Sequence, residues 1–246
     1  MDRNNRVIVL IPARYASTRF PGKPLLDLLG KPMIRWVYER ASAAPGIAEV
    51  IVATDDERIA EAVRAFGGAV RMTSPDHPTG TDRLAEVAAG LDAGIIVNVQ
   101  GDEPTLNPEC ITQAVAPLLA DPGLQMSTLR TPLPTEEHAN PNVTKVVVDR
   151  NDRALYFSRA PIPHLRAGGT PTPAFKHIGL YAYRREFLLE YARLEPTPLE
   201  KSEALEQLRA LEHGYPIAAP LTAWNPLSID APDDVGPVLD WLHSNR

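Results

Sequence analysis

Short aliphatic runs alternate with amphipathic segments through the first half of this 246-residue chain. Strands that alternate with helices in this way are joined by right-handed crossovers, so that neighbouring strands run parallel. The expected strands cover 7–11, 49–54, 69–72 and 95–99, and the expected helices cover 33–44, 57–66 and 81–91. The pattern predicts an α/β fold with a Rossmann-like, mostly parallel sheet flanked by helices. Ligands of such sheets bind beyond the carboxyl ends of the strands.

After about residue 122 the pattern changes, because the expected strands are separated by loops instead of regular helices. The strands are expected at 125–130, 145–149 and 177–183, and two helices at 199–212 and 232–243. The segment 161–173 is rich in Pro and Gly, which indicates a long irregular loop or a mobile lid. We therefore expect one α/β domain with an elaborated, mixed second half.

The composition of the chain limits the kinds of molecule that it is expected to bind. A formal net charge of −6 argues against a nucleic-acid-binding protein, which would carry a basic face. The single cysteine, Cys110, excludes an intramolecular disulfide, and the apolar run before Pro12 is too short for a signal sequence or a membrane span. We expect a cytoplasmic enzyme that acts on a small molecule, with no nucleic acid and no membrane as partner.

The loop after the first expected strand concentrates positive charge. Arg14, Arg19, Lys23 and Lys31 are accompanied by a single acid, Asp27. Arg side chains and a Lys point charge neutralise clustered phosphate oxygens, so the loop is expected to hold a nucleoside triphosphate. The spacing is neither that of a Walker loop nor that of a dinucleotide-binding glycine motif. The alternative is a solvated basic turn.

Two acidic segments suggest a metal site. Asp102 follows the strand at 95–99, where a carboxylate is placed to hold Mg²⁺ together with substrate phosphates, and Gln100 is placed to reach the nucleotide. Asp230 lies just before the last expected helix and is a candidate second ligand. Helix capping is the alternative for both acids.

Three further groups of polar residues are weaker candidates. The Thr- and Gly-rich turn at 72–83 offers hydroxyl and backbone groups for a base edge, although capping of the next helix explains much of it. Arg159 can clamp a carboxylate, and His177 and Tyr181 are expected on one strand face. Acceptors for sugar hydroxyls are expected on one helix face, at Glu203, Glu206 and Gln207. A paired surface arginine, a core histidine and a solvated helix are the alternatives.

Seven elements in this order resemble the sugar nucleotidyltransferases, and within them the cytidylyltransferases that activate acidic sugars. The elements are IPARYASTRFPGKPL, MTSPDHPTGTDRLAEV, VNVQGDEP, YFSRAPIP, KHIGLYAY, ALEQLRAL and SIDAPDD. They extend from Val7 to about Asp234, and their ordered recurrence is more specific than any one of them. Several relatives have Arg where this chain has Ser74.

The resemblance implies a fold of the nucleotide-diphospho-sugar transferase type and a role for each matching residue. The implied ligands of CTP are Arg14, Ser17, Arg19 and Lys23 at the phosphates, and Thr73, Ser74, Thr79 and Gln100 around the cytidine. The implied sugar-acid residues are Arg159, His177, Tyr181, Glu203, Glu206 and Gln207. The implied Mg²⁺ ligands are Asp102 and Asp230, and the implied catalytic residues are Arg14, Lys23 and Asp102.

The resemblance also implies a reaction and a domain arrangement. CMP would pass from CTP to the anomeric hydroxyl of 3-deoxy-D-manno-octulosonate (Kdo), releasing pyrophosphate and giving CMP-Kdo for lipopolysaccharide synthesis. A single domain over 1–246 would contain a nucleotide-binding half, about 1–122, and a sugar-binding and dimerisation half, about 123–246, and would form a homodimer.

Three alternatives remain open from the sequence. The sugar could be another acidic sugar, such as a sialic acid or an amino-substituted Kdo. The chain could be a non-catalytic nucleotide-binding protein of the same fold, which the retention of Lys23, Asp102 and Asp230 disfavours. A nicotinamide-dependent oxidoreductase is disfavoured by the missing glycine motif.

Overall fold

The computed structural model describes residues 3–16 and 20–245, which form two compact units. One unit runs to Thr112 and resumes at Pro226, and the other is Gln113–Asn225. The described strands are β1 (Val7–Ala13), β2 (Asp27–Leu28), β3 (Lys31–Pro32), β4 (Ile47–Thr54), β5 (Ala69–Met72), β6 (Ile95–Asn98), β7 (Met126–Pro132), β8 (Lys145–Val148), β9 (Ala154–Ser158), β10 (Phe175–Arg184) and β11 (Ile217–Ala218). The described α-helices are α1 (Met33–Ser42), α2 (Glu57–Ala65), α3 (Gly80–Ala89), α4 (Pro108–Ala120), α5 (Arg185–Tyr191), α6 (Pro198–Glu203), α7 (Leu208–Glu212) and α8 (Val235–Ser244).

The first unit contains a parallel sheet in the order β6-β1-β4-β5. Strands β1, β4 and β6 are largely buried because helices cover the sheet, with α1 packed on β4 and α3 on β1. α2 packs on β5, which stays partly exposed. Asp56 caps α2 by accepting a hydrogen bond from the Arg58 amide at 3.0 Å. The predicted α/β fold is confirmed, and the carboxyl ends of the parallel strands meet at one edge.

The end of the chain belongs to this first unit. Ile229, Val238 and Leu242 are buried against a cluster that includes Met33 and Trp36 of α1. This burial fixes the segment that carries Asp230. The predicted sugar-binding half, about 123–246, included this last segment, whereas the structure groups it with the first unit. The prediction of a single domain over the whole chain stays a prediction.

The second unit contains mixed strands, as the change of pattern after residue 122 predicted. β7 pairs antiparallel with β10 and parallel with β11, while β8 pairs antiparallel with β10 and β9. No helix or strand is present between β9 and β10, so the predicted irregular loop at 161–173 is confirmed. No described helix has the length and apolar character needed to cross a bilayer.

The predicted helix at 199–212 is wrong, because the chain leaves the helical conformation in its middle. Ala204 adopts a left-handed conformation, with φ of 51°, which ends α6, and α7 begins only at Leu208. Glu203, Glu206 and Gln207 therefore do not share one helix face. Ala is the best helix former, so nothing in the local composition marks this break.

Candidate active site

The loop after β1 turns sharply to bring Lys23 back beside the end of that strand. Gly22 adopts a left-handed conformation, with φ of 73°, and its amide donates to the Tyr15 carbonyl at 2.9 Å. Lys23 then begins a short 3₁₀ helix, Lys23–Leu25. Ser17 and Arg19, both expected at the phosphates, lie outside the described residues.

Lys23 lies between two carboxylates that come from distant parts of the sequence. Its Nζ lies 2.7 Å from Oδ2 of Asp102 and 3.5 Å from Oδ1 of Asp230. The Ile229 amide donates to the Asp102 carbonyl at 3.0 Å and so fixes the two acidic segments to each other. The amides of Asp230 and Ala231 are capped by the Asp234 carboxylate, at 2.8 Å each, so Asp230 is not the capping residue.

Lys23 and Asp102 line a cleft of about 210 Å³ together with Arg14 and Gln100. Gly101 also lines the cleft and lies close to the end of β1, since a Cβ there would lie 2.9 Å from the Pro12 carbonyl oxygen. The cleft therefore contains three of the residues expected at the nucleotide, Arg14, Lys23 and Gln100, together with the expected Mg²⁺ ligand Asp102.

The carboxylates of Asp102 and Asp230 fit Mg²⁺, a hard cation that prefers oxygen ligands. Both already face one cationic group, and their side chains retain 29% and 49% exposure. No third His, Cys, Asp or Glu joins them in a potential metal cluster among the described residues. Mg²⁺ held here would need phosphate oxygens and water for its remaining ligands.

The turn expected around the base is tied to the cleft by Arg14, which donates to the His77 carbonyl at 2.8 Å. Within the turn, Ser74 Oγ accepts from the Asp76 amide at 3.2 Å. Thr79 is the N-cap of α3, and its hydroxyl forms a capping box with Asp82. Thr79 thus has a structural role that the sequence pattern had left as an alternative.

Arg83 is a residue that the sequence analysis missed. Its side chain is fully buried on α3, where it donates to the hydroxyl of Thr73 and lies 3.1 Å from Oδ2 of Asp55. Because Arg83 supplies the donor, the Thr73 hydroxyl keeps its own proton for another acceptor. Arg83 and Val87 lie four residues apart among buried residues of α3, and this helical spacing is the signal that could have indicated the burial of Arg83.

In the second unit, Glu203 fixes the end of β9. Its carboxylate accepts from Ser158 Oγ at 2.6 Å, from the Arg159 amide at 2.9 Å and from Tyr156 Oη at 3.4 Å. Burial raises the pKa of Glu203, but these hydrogen bonds outweigh it and hold the pKa below its usual value. Glu203 thus holds the end of β9 with the oxygens that were expected to meet sugar hydroxyls.

Arg159 is held by main-chain carbonyls. Its guanidinium donates to the carbonyls of Glu203, Pro141 and Ala204 at 2.7, 3.1 and 3.3 Å. Its own carbonyl accepts from Lys145 Nζ at 2.5 Å. Lys145, which the sequence analysis also missed, is fully buried, and burial together with the charge of Arg159 lowers its pKa.

His177 and Tyr181 lie together on β10, as expected, with ring centroids 5.4 Å apart. The His177 ring also meets Phe157 of β9 at 5.0 Å, and its Nε2 lies 3.0 Å from Thr128 Oγ1. Burial lowers the pKa of His177 to about 3, so the imidazole is neutral near neutral pH. Burial and the charge of Glu206 raise the pKa of Tyr181 above its usual value.

Gln207 is buried, and its Nε2 has no hydrogen-bond partner among the described residues. A buried amide donor without a partner is costly, and it is explained when a ligand supplies the acceptor. Tyr191 Oη donates to the neighbouring Glu206 carbonyl at 2.5 Å and fixes this turn.

A larger cavity, of about 470 Å³, lies in the second unit between the Pro-rich loop and the end of β7. Its lining is mainly apolar and includes Leu133, Pro163 and Leu165. It contains none of the predicted site residues, so its size does not make it the candidate active site.

The fold and these clusters define a nucleotidyltransferase. The model of the cytidylyltransferase family matches residues 8–217, and the chain belongs to that family. A 3-deoxy-manno-octulosonate cytidylyltransferase of Geobacter metallireducens is 53% identical over 248 residues, which covers 96% of this chain and 98% of the relative. The enzyme of that name from Syntrophotalea carbinolica is 56% identical over 238 residues, covering 93% of this chain and 95% of the relative.

A solved structure is also similar to this chain over nearly its whole length. It is described as a CMP:2-keto-3-deoxy-manno-octonic acid synthetase complexed with CTP, and it matches with a TM-score of 0.94 and 44% identity. The match covers 98% of this chain and 100% of that one. The predicted resemblance is confirmed.

Proposed function

We propose that this chain transfers CMP from CTP to the anomeric hydroxyl of Kdo, giving CMP-Kdo and pyrophosphate. The hydroxyl oxygen forms a bond to the α-phosphorus, the bond from that phosphorus to the bridging oxygen of pyrophosphate breaks, and the proton of the hydroxyl passes to solvent water. The relatives named for this reaction match almost the full chain, which supports the assignment.

The observation that carries the proposal is the position of Lys23 between Asp102 and Asp230. An ammonium at a cleft lined by Arg14 and Gln100 is suited to a triphosphate, whose negative charge increases on the leaving pyrophosphate. The protein supplies no nucleophile in this scheme. Positioning of the two substrates and neutralisation of charge carry the rate.

Asp102 and Asp230 are the residues that would hold Mg²⁺. Mg²⁺ bound there would neutralise phosphate oxygens and would favour ionisation of the attacking hydroxyl. Lys23 donates a hydrogen bond to Asp102 and forms an ion pair with Asp230, and Arg14 holds the base turn through the His77 carbonyl.

The residues proposed to bind the sugar acid differ in the hydrogen-bonding groups that they present to it. Gln207 has a buried amide donor without a partner, and the neutral His177 and the phenol of Tyr181 are uncharged polar groups. Glu203 acts through Arg159 and the end of β9, and Glu206 places negative charge near Tyr181. A homodimer, a cytoplasmic location and a place in lipopolysaccharide synthesis stay part of the proposal.

Pyrophosphate release tests the assignment. The purified chain is incubated with Mg²⁺, Kdo and each of the four nucleoside triphosphates, and then with CTP and either a sialic acid or an amino-substituted Kdo. We expect release with CTP and Kdo, and loss of release after chelation of Mg²⁺. Release with another sugar acid but not with Kdo would redirect the substrate, and no release with any sugar acid would contradict enzymatic function.

A further inference from the structure

A bulge in β10 lies opposite Thr128 of β7. Ile178 pairs with Leu129 and Ala182 with Ser127, so that three residues of β10 stand opposite the single residue Thr128. Bulges of this kind re-aim side chains and occur next to active sites. This one begins two residues after His177 and includes Tyr181, and both of these residues are proposed to meet the sugar acid.

The hydroxyl of Thr128 replaces the ladder contacts that the bulge removes. Thr128 is fully buried, and its Oγ1 lies 2.9 Å from the Ile178 carbonyl oxygen and 2.9 Å from that of Leu180. The third neighbour of Oγ1 is Nε2 of His177, at 3.0 Å. Three polar atoms therefore surround one hydroxyl group.

The count of protons fixes the direction of each hydrogen bond. A threonine hydroxyl has one proton, and a carbonyl oxygen can only accept. If the proton pointed at His177, both carbonyl oxygens would face an oxygen lone pair at hydrogen-bond distance. The hydroxyl therefore donates to the carbonyls and accepts from His177, which places the imidazole proton on Nε2.

We propose that Thr128 is a positioning residue that holds His177 as its Nε2–H tautomer, so that Nδ1 accepts a hydrogen bond from a hydroxyl of the sugar acid. The tautomer follows from contacts within the second unit. The identity of the donor to Nδ1 rests on the proposed function.

The proposed tautomer determines which part of the substrate His177 can recognise. An unprotonated Nδ1 has no proton for a carboxylate, which is an acceptor only, but it accepts from a hydroxyl. The low pKa of His177 agrees with this assignment, because a neutral ring has one donor and one acceptor. The carboxylate of the sugar acid must then be bound by hydrogen-bond donors other than His177. The Gln207 amide is one candidate, because it is a buried donor without a described partner.

The tautomer can be measured without substrate. Nitrogen NMR of the ¹⁵N-histidine-labelled protein distinguishes a protonated ring nitrogen from an unprotonated one. We expect a proton on Nε2 and none on Nδ1 of His177, assigned by comparison with His177→Gln. Thr128→Val should disturb this signal. Thr131→Val is the control and should not disturb it, because Thr131 is another buried threonine of β7 but pairs with Lys176 instead of the bulge. A proton on Nδ1 in the unchanged protein would overturn the proposal, whether or not any variant folds.

Steady-state kinetics test the consequence for the substrate. Thr128→Val should raise KM for Kdo by about 3- to 10-fold, the range for one lost hydrogen bond, and leave KM for CTP unchanged. Thr128→Ser should restore the value, because it keeps the hydroxyl, and Thr131→Val should behave as the unchanged protein. An equal rise in both KM values would overturn the proposed contact with the sugar acid. Absence of turnover in the unchanged protein would instead defeat the proposed function, and the NMR result would still decide the tautomer.

Discussion

Asp230 Oδ1 lies 3.5 Å from Lys23 Nζ, so a residue near the carboxyl terminus reaches the loop that follows the first strand. The contact depends on the burial of Ile229, which anchors the last segment of the chain. A lysine that meets two carboxylates at the edge of a cleft is a group poised for a charged ligand rather than a structural ion pair, since all three side chains retain some exposure.

Replacement of Lys23 by Ala should remove most of the activity while the protein stays folded. Loss of a group that stabilises charge in the transition state lowers kcat by about 10²- to 10³-fold. Asp102→Asn should have an effect of similar size. The measurement is CTP-dependent pyrophosphate release, with thermal unfolding as the check on folding.

Lys31→Ala is the matched control for this prediction. Lys31 is also a partly exposed lysine in the first unit, but its Nζ pairs with Glu39 at 2.7 Å and lies over the Trp36 ring. Its removal should change turnover little. Near-normal turnover in Lys23→Ala would contradict the role given to the cleft.

Arg83→Met should destabilise the first unit, because it leaves the Asp55 carboxylate without its partner. Breaking a buried ion pair costs about 3–5 kcal/mol, and the low end applies since the Asp55 side chain keeps 19% exposure. Urea unfolding gives the free energy of unfolding. The exposed pair of Arg64 and Glu57 provides the control, and Arg64→Met should change that free energy by less than about 1 kcal/mol. Equal effects of the two variants would contradict the role of Arg83.

The central parallel strands of the first unit could be predicted because burial on both faces of a sheet requires aliphatic side chains at successive positions. Strands covered on both faces need continuous aliphatic runs, and 7–11 and 95–99 have them. The break at Ala204 could not be predicted, since it depends on Arg159 and its contacts with the carbonyls of Glu203 and Ala204, far away in sequence. Tertiary contacts there override the helix propensity of alanine.

The candidate site was predictable where charge alone marks it. The cations of the first loop and the acids at Asp102 and Asp230 stand out in the sequence, and the structure brings Lys23 and both acids together. Thr128 and Lys145 carry no such mark, because a threonine or lysine in a strand is ordinary until its neighbours are known. Their positions depend on a bulge and on a loop that local sequence does not specify.

Glu203→Gln should weaken binding of the sugar acid more than binding of CTP. The glutamine oxygen would accept from the Arg159 amide, and its amide nitrogen would donate to Ser158 Oγ, so the charge-assisted hydrogen bonds of the carboxylate would be replaced by weaker neutral ones. Replacing a charge-assisted hydrogen bond by a neutral one at this half-buried position costs about 1 kcal/mol, so KM for Kdo should rise by about 5-fold. Separate titrations of Kdo and CTP measure the two constants. The exposed Glu195, changed to Gln, is the control, and an unchanged KM for Kdo in Glu203→Gln would contradict the role of Glu203.

His177 should make the free energy of unfolding fall as the pH falls below about 6.5. Burial lowers the pKa of His177 in the folded protein to about 3, so between these values the unfolded chain binds a proton that the folded chain does not. The unfolded state is therefore favoured as the pH decreases, by about 1–2 kcal/mol between about pH 7 and about pH 5 for this partly exposed side chain. Urea unfolding at the two pH values should show a smaller pH dependence in His177→Gln than in the unchanged protein. His243→Gln, which changes an exposed histidine, is the control. If His177→Gln kept the full pH dependence, the neutral imidazole could not be its source, and the unprotonated Nδ1 of His177 would lose the support that the low pKa gives it.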